Sequence, residues 1–180
     1  LAEIGSATES VALATYIFET NKVGRDVIQA LERAKARGVD IRVLVDGIGE
    51  LYSLPRAVRL LRRRGIRCAR FHPPRVLPPA LHINLRNHRK LLLVDGCIGF
   101  TGGMNIGSRH MVTENWLMTA ADTHFEIPGP VLNHLATAVA PDWLLAEREV
   151  SSSPWLVAHR PAPAHRYSLV IPHALNAPLT

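Results

Sequence analysis

Two amphipathic stretches, each stopped by glycine and each set between short runs of β-forming residues, leave this chain few ways to fold. Val11–Phe18 (VALATYIF) reads as a buried strand. After it Val27, Ile28, Leu31 and Ala34 recur at helical spacing, Lys35 and Arg37 fall in the last turn, and Gly38 ends the helix. Val39–Val45 (VDIRVLV) is a second strand, closed by Asp46-Gly47. Pro55 opens a second helix with Val58, Leu60 and Leu61 on its apolar side and Gly65 as its stop. Ile66–Phe71 is a third strand. Strand–helix–strand–helix–strand requires crossovers that return to the same sheet. The expected fold class is therefore α/β, a mixed and largely parallel sheet flanked by helices.

The rest of the chain continues that sheet. His72–Ala80 holds four prolines and reads as a loop or extended crossing segment. His88–Val94 is a strand, Asp95-Gly96 a hairpin turn and Cys97–Thr101 the returning strand. Ala120–Ile127 is a further strand. Pro130–Glu147 has helical spacing through Val131, Leu135, Val139 and Trp143, with Pro141 expected to kink or split it. After Glu149 the texture turns Ser- and Pro-rich. Residues 1–149 are thus expected as one domain, and 150–180 as a linker or the start of a further half, with Tyr167–Ile171 (YSLVI) as a last strand.

Hydrophobic residues make up 47% of the 180 and charged residues 20%, which excludes wholesale disorder. Cys68 and Cys97 are too few for a disulfide framework and form no C-x-x-C pair, so a reducing, cytosol-facing setting is the default. The first residue is Leu1, so the chain reads as a processed product or a piece of something longer, and no signal peptide opens it. The longest stretch without a formal charge, Ile127–Pro141, contains three prolines and is too short to span a bilayer. A membrane anchor would have to lie outside this chain.

The chemistry concentrates in Asn84–Asn105 (NLRNHRKLLLVDGCIGFTGGMN). Side chains two apart on a strand share a face, roughly 6.6–7 Å from each other. His88 and Lys90 are therefore expected to point toward one ligand, with Leu91 and Leu93 on the opposite face. An ammonium beside an imidazole disfavours its protonation and helps keep it nucleophilic. Gly102 and Gly103 are expected to let the backbone approach a ligand, and Asn105 adds an amide donor. Imidazole, ammonium, amide and free N–H groups around one point suit a phosphate. His-x-Lys, Asp-Gly or Gly-Gly alone would each be ordinary structure. Their ordered combination is what carries information.

That combination, His88, Lys90, Asp95, Gly102, Gly103 and Asn105, resembles the signature of the phospholipase D superfamily: His-x-Lys, four residues, Asp, six residues, Gly-Gly or Gly-Ser, any residue, Asn. TYIFE at 15–19, RGVDIRVLVDG at 37–47, RNHRKLLLVDG at 86–96, GFTGGMNIG at 99–107, DTHFEIPGPV at 122–131 and DW at 142–143 are similar to bacterial cardiolipin synthases. The resemblance implies one phospholipase D-like half-domain. In it His88 forms a phosphohistidine or protonates the leaving group, Lys90 and Asn105 hold the phosphate, and Asp95 is structural more than reactive. A downstream carboxylate orients the histidine, and Asp122 is the candidate. No metal or other cofactor is implied. The family places two such motifs face to face, whereas this chain has one, because its other eight histidines lack a Lys two positions on. The second comes from a further half of a longer enzyme or from a homodimer partner. The non-Met start and the linker-like tail favour the first.

The implied activity is phosphatidyl transfer of cardiolipin synthase type, with phosphatidylglycerol or a similar phospholipid as substrate, or phospholipase D hydrolysis. Its rivals are a homodimeric nuclease of the same superfamily and a non-catalytic dimerisation or membrane-docking half. Arg56, Arg59, Arg62, Arg63, Arg64, Arg67, Arg70 and Arg75 form a basic cluster, read mostly as a solvated face with anionic lipid as the functional alternative. No aromatic stripe lies between them to stack bases, which disfavours nucleic acid. The expected location is a membrane surface, on the cytoplasmic side of a bacterial inner membrane. Tyr16 is expected in the core, and His110, Trp116 and His124 are minor pocket candidates.

Overall fold

The computed structural model describes residues 1–74, 86–111, 122–147 and 168–170. The elements are α1 (Ala2–Ser6), β1 (Ser10–Thr15), α2 (Lys22–Ala36), β2 (Asp40–Asp46), α3 (Ala57–Arg63), β3 (Arg67–Phe71), β4 (Leu91–Val94), β5 (Ile98–Gly102), β6 (His124–Pro128), α4 (Val131–Glu147) and β7 (Ser168–Val170), with 3-10 turns at Gly49–Tyr52 and Ser108–His110. Asn21 caps α2 by accepting from the Gly24 N–H. Both predicted glycine stops hold, with φ +92° at Gly38 and +66° at Gly65, where a Cβ would be strained.

The sheet order is β3-β2-β1-β4-β5-β6-β7. It is mixed and flanked by helices, as expected, but it is not largely parallel, because the strands after β3 join through hairpins and returns and not through helical crossovers. Parallel pairing is confined to β1–β2 and β2–β3, the two crossovers that carry α2 and α3. From β1 outward every pairing is antiparallel. The β4–β5 reversal runs through three residues, Asp95, Gly96 and Cys97, with Asp95 at φ 51° and Gly96 at 59°, the sign that a primed turn requires. The YSLVI run supplies β7 to this same sheet, against β6.

Alternation along β1 divides the core. Val11 and Leu13 pack with Ile28, Leu31, Val58 and Leu61 under α2 and α3. Ala12 and Ala14 face α4, where Leu91, Leu93, Leu132 and Trp143 complete a second cluster. α4 runs unbroken through Pro141, so the expected split does not occur. Its buried Leu132, Ala136, Val139 and Trp143 hold one stripe on the sheet across that proline, and the packing outweighs the lost hydrogen bond. The Pro-rich stretch from residue 75 onward, Trp116 and most of the tail fall outside the described residues.

Candidate active site

β1 and β2 end, and β4 begins, at one edge of the sheet, and the sequence-predicted residues gather there. His88 and Lys90 are not on a strand, because β4 starts at Leu91. Their convergence has another cause. The His88 ring stacks on Tyr16, with centroids 4.2 Å apart and planes inclined by 25°. Lys90 Nζ lies 5.4 Å from the centroid of the same ring. Lys90 also donates to the His88 carbonyl at 2.7 Å, which closes the tripeptide on itself. Tyr16 is thus the platform of the site, half-buried and not a core residue. Burial first, then the Tyr52 and Asp46 side chains beside it, raise its phenol pKa, so it stays protonated.

The segment carrying His88 is held from both sides. Asn87 N–H donates to Asp46 Oδ2 at 3.0 Å, and the Arg86 guanidinium lies 3.6 Å from Asp46 Oδ1. Asn87 Nδ2 donates to Asp142 Oδ2 at 3.0 Å, and Arg89 pairs with the same carboxylate oxygen. Both neighbours of His88 are therefore anchored to α4. The His88 ring itself is exposed and unbonded among the described residues.

Asn105 is fixed through its carbonyl, which accepts from the Ile17 N–H at 3.1 Å. That leaves its NH2 as the outward group. Gly102 and Gly103 serve a different purpose from the one expected. A Cβ on Gly102 would stand 2.0 Å from the Thr123 carbonyl, and one on Gly103 2.1 Å from Asp122 Oδ1. The glycines admit the Asp122–His124 segment, not a ligand, and the Gly103 N–H is taken by the Thr123 carbonyl at 3.1 Å.

No hydrogen bond joins Asp122 to His88 among the described residues. Asp122 accepts from its neighbour Thr123 N–H at 2.8 Å. Its charge acts on Lys90 and His124 instead. Burial lowers the Lys90 pKa, and Asp122 offsets part of that. Burial also lowers that of His124, offset by Asp122 and reinforced by His110 and Lys90. A neutral His124 fits its one bond, since Nδ1 accepts from the Met104 N–H at 3.3 Å. His124 is therefore more central than the sequence suggested. It pairs opposite Gly102 and lines the same cavity as Lys90 and Asn105. A cavity of about 410 Å³ begins at Lys90, Asn105 and His124 and runs along apolar walls that include Leu92, Phe100 and Ile106. His88 does not line it, and Lys90 is the residue common to both.

Asp95 stands at the other end of β4. Its carboxylate accepts four bonds, from Thr8 N–H and Oγ1 and from the Glu9 and Ser10 N–H groups, at 2.8–3.0 Å. Burial acts to raise its pKa, but those bonds outweigh it and the net shift is downward. It is a staple between the hairpin and the start of β1, far along the strand from the His88–Tyr16 stack. A depressed carboxyl adds stability that is present above its unfolded pKa, about 3.9, and lost as pH falls through the folded value. Asp95→Ala is expected to cost about 2 kcal/mol at neutral pH. The difference in melting temperature from the parent should shrink below pH 4. A pH-independent gap would remove the carboxylate from this role.

Among the described residues no group of His, Cys, Asp and Glu has the arrangement to hold a metal ion. No helix among them is long and apolar enough to cross a membrane.

Comparison with known proteins bears on the family and the fold. The profile of the family described as "Cardiolipin synthase, PLD-like domain" matches residues 1–129. Cardiolipin synthase A of Pseudomonas putida is 35% identical over 150 residues, covering 83% of this chain and 31% of the relative. The chain thus spans about a third of the length of the curated relatives it matches. The crystal structure of phosphatidylserine synthase from Haemophilus influenzae superposes with a TM-score of 0.62 at 15% identity, over 86% of this chain and 37% of that one. Nuc, a phospholipase D family member from Salmonella typhimurium, gives 0.57 at 20% identity, over 81% and 84%. Those two likenesses speak to the fold, and the profile match speaks to the family. With His88, Lys90 and Asn105 gathered at one sheet edge and the profile matched across the whole motif, this chain belongs to the cardiolipin synthase-type, phospholipase D-like family.

Proposed function

We propose that this chain supplies one catalytic half of a phosphatidyltransferase that moves a phosphatidyl group from one phospholipid to an alcohol. The observation that carries the reading is the pairing of His88 and Lys90 over the Tyr16 ring, where Lys90 also opens onto an apolar-walled cavity. A cation and amide at the mouth of an apolar wall match an amphiphile with a phosphodiester head; a nucleic acid backbone supplies the phosphodiester but no apolar tail for the wall.

In the proposed step a His88 ring nitrogen attacks phosphorus. The N–P bond forms as the P–O bond to the leaving alcohol breaks, and a second imidazole donates the proton that the leaving oxygen takes. The acceptor alcohol, deprotonated by that same second imidazole, then attacks the phosphohistidine, breaks N–P and restores His88. Lys90 and the Asn105 amide offset the charge on the non-bridging oxygens. Asp95 and Asp122 take no part in bond making. Asp95 holds the hairpin, and Asp122 sets the charge around Lys90 and His124.

The second imidazole comes from a further half or from a second copy. Incubation of the purified chain, alone and within its full-length gene product, with labelled phosphatidylglycerol and with DNA tests the reading. Labelled cardiolipin or phosphatidic acid is the expected product, unaffected by chelator. DNA cleavage without lipid turnover would replace this reading with the nuclease one.

A further inference from the structure

We propose that the turn after β2, together with the arginine face of α3, is a docking surface for an anionic lipid bilayer. The inference rests on the phospholipid reading above only for what the docked edge would do there. The turn places Leu51, Tyr52 and Leu54 in solvent, 44%, 55% and 83% exposed, within four residues of one another. Beside them, Arg56, Arg59 and Arg63 recur at one-turn spacing, so they form a single stripe opposite the buried Ala57, Val58 and Leu61.

These three arginines are exposed, and their side chains make no hydrogen bond or ion pair among the described residues. Their neighbours are already engaged: Arg62 donates to the Cys68 carbonyl, Arg64 pairs with Glu32, and Arg70 pairs with the buried Glu50. Leu54 and the arginines at 56, 59, 62, 63 and 70 line one shallow concavity of about 600 Å³. No exposed carboxylate lies on α3 or in the turn to neutralise it, since Glu50 is 1% exposed.

Apolar side chains ringed by unpaired guanidinium groups match the bilayer interface. The first enter the acyl boundary, and the second meet headgroup phosphates and the negative surface potential. The chemistry commits to lipid over nucleic acid because the projecting groups are aliphatic at two of three positions and offer little to stack a base. The placement adds a consequence. Tyr52 lies beside the Tyr16 phenol on which His88 stacks. A bilayer engaged by this turn would therefore meet the same sheet edge that carries the candidate nucleophile.

The test uses the 180-residue chain with Leu54→Trp as an interfacial probe, read as the difference from the parent and as quenching by brominated lipid. Phosphatidylcholine–phosphatidylglycerol vesicles should give a blue shift and quenching that high salt abolishes, with little response to pure phosphatidylcholine. Arg56→Gln/Arg59→Gln/Arg63→Gln should lower partitioning by about a hundredfold at unchanged circular dichroism. Equal response to both vesicle types, or none, would overturn the proposal. So would a shift that appears without vesicles and grows with protein concentration, which marks a second copy as the occupant, or one produced equally by single-stranded DNA. Turnover of dispersed short-chain phosphatidylglycerol by the full-length product needs no bilayer. Its survival in the triple variant, with vesicle binding lost, separates failure of the surface from failure of the active site.

Discussion

His88→Ala should lower turnover by about four orders of magnitude or more in whichever assembly, full-length product or dimer, is found to be active. The melting temperature should move by no more than a few degrees. The two halves of that expectation have separate grounds. The ring is exposed and its contact is the stack on Tyr16, so its removal deletes little packing. The imidazole that lines the neighbouring cavity, His124, is already engaged. His124 spends Nδ1 on the Met104 N–H, and its ring is fixed by pairing opposite Gly102. A trapped, acid-labile phosphoryl adduct should disappear with His88 and persist in Lys90→Met at reduced rate. Full activity in His88→Ala would remove it from the mechanism. A collapsed fold would show instead that the Tyr16 stack is structural.

How far the sequence disclosed this site depends on the kind of interaction involved. Local rules were legible. Gly38 and Gly65 stop helices for a backbone reason that acts within one turn, and Asp95-Gly96 makes its hairpin for the same kind of reason. The parallel half of the sheet followed from periodicity, because each crossover needs a helix whose apolar stripe can be counted.

What sequence spacing misassigned are contacts between distant segments. His88 and Lys90 come together through Tyr16, 72 residues before His88, and not through strand alternation, because Asn87 and Arg89 are drawn to Asp46 and Asp142 and the backbone cannot enter β4 until Leu91. Gly102 and Gly103 look ligand-facing in a motif, yet the chain that crowds them is Asp122–His124, twenty residues on. Pro141 reads as a break locally and is overruled by the stripe that ends in Trp143. In each case a tertiary neighbour outweighed a local preference, and no single-chain pattern specifies which neighbour that is.

Asp46 should prove the most costly position outside the reacting groups. It is 0% exposed at the end of β2 and accepts from Ile48 N–H at 2.9 Å, Gly49 N–H at 3.1 Å and Asn87 N–H at 3.0 Å. It also faces Arg86, 5% exposed, at 3.6 Å. Asp46→Ala removes all four at once and leaves a buried guanidinium without its counter-ion, with Nε and Nη2 already unpartnered and Nη1 keeping only the neutral His72 carbonyl at 3.2 Å. Breaking such a pair from one side costs about 3–5 kcal/mol, or a fall of roughly 10 °C in melting temperature for a domain of this size. Asp46→Asn should fall between, since its carbonyl can keep the Ile48 and Gly49 bonds while its NH2 confronts the Asn87 donor. The double variant Asp46→Ala/Arg86→Met is the informative one. If the penalty is mainly the stranded charge, adding Arg86→Met should recover a large part of the loss, because neither ion is then left alone. Activity should not return with stability, because the Asn87 N–H that registers the His88 segment still lacks its acceptor. Recovery of both together would mean that α4, through Asp142, positions the segment unaided. A melting temperature for Asp46→Ala within a degree or two of the parent would remove Asp46 as the anchor altogether.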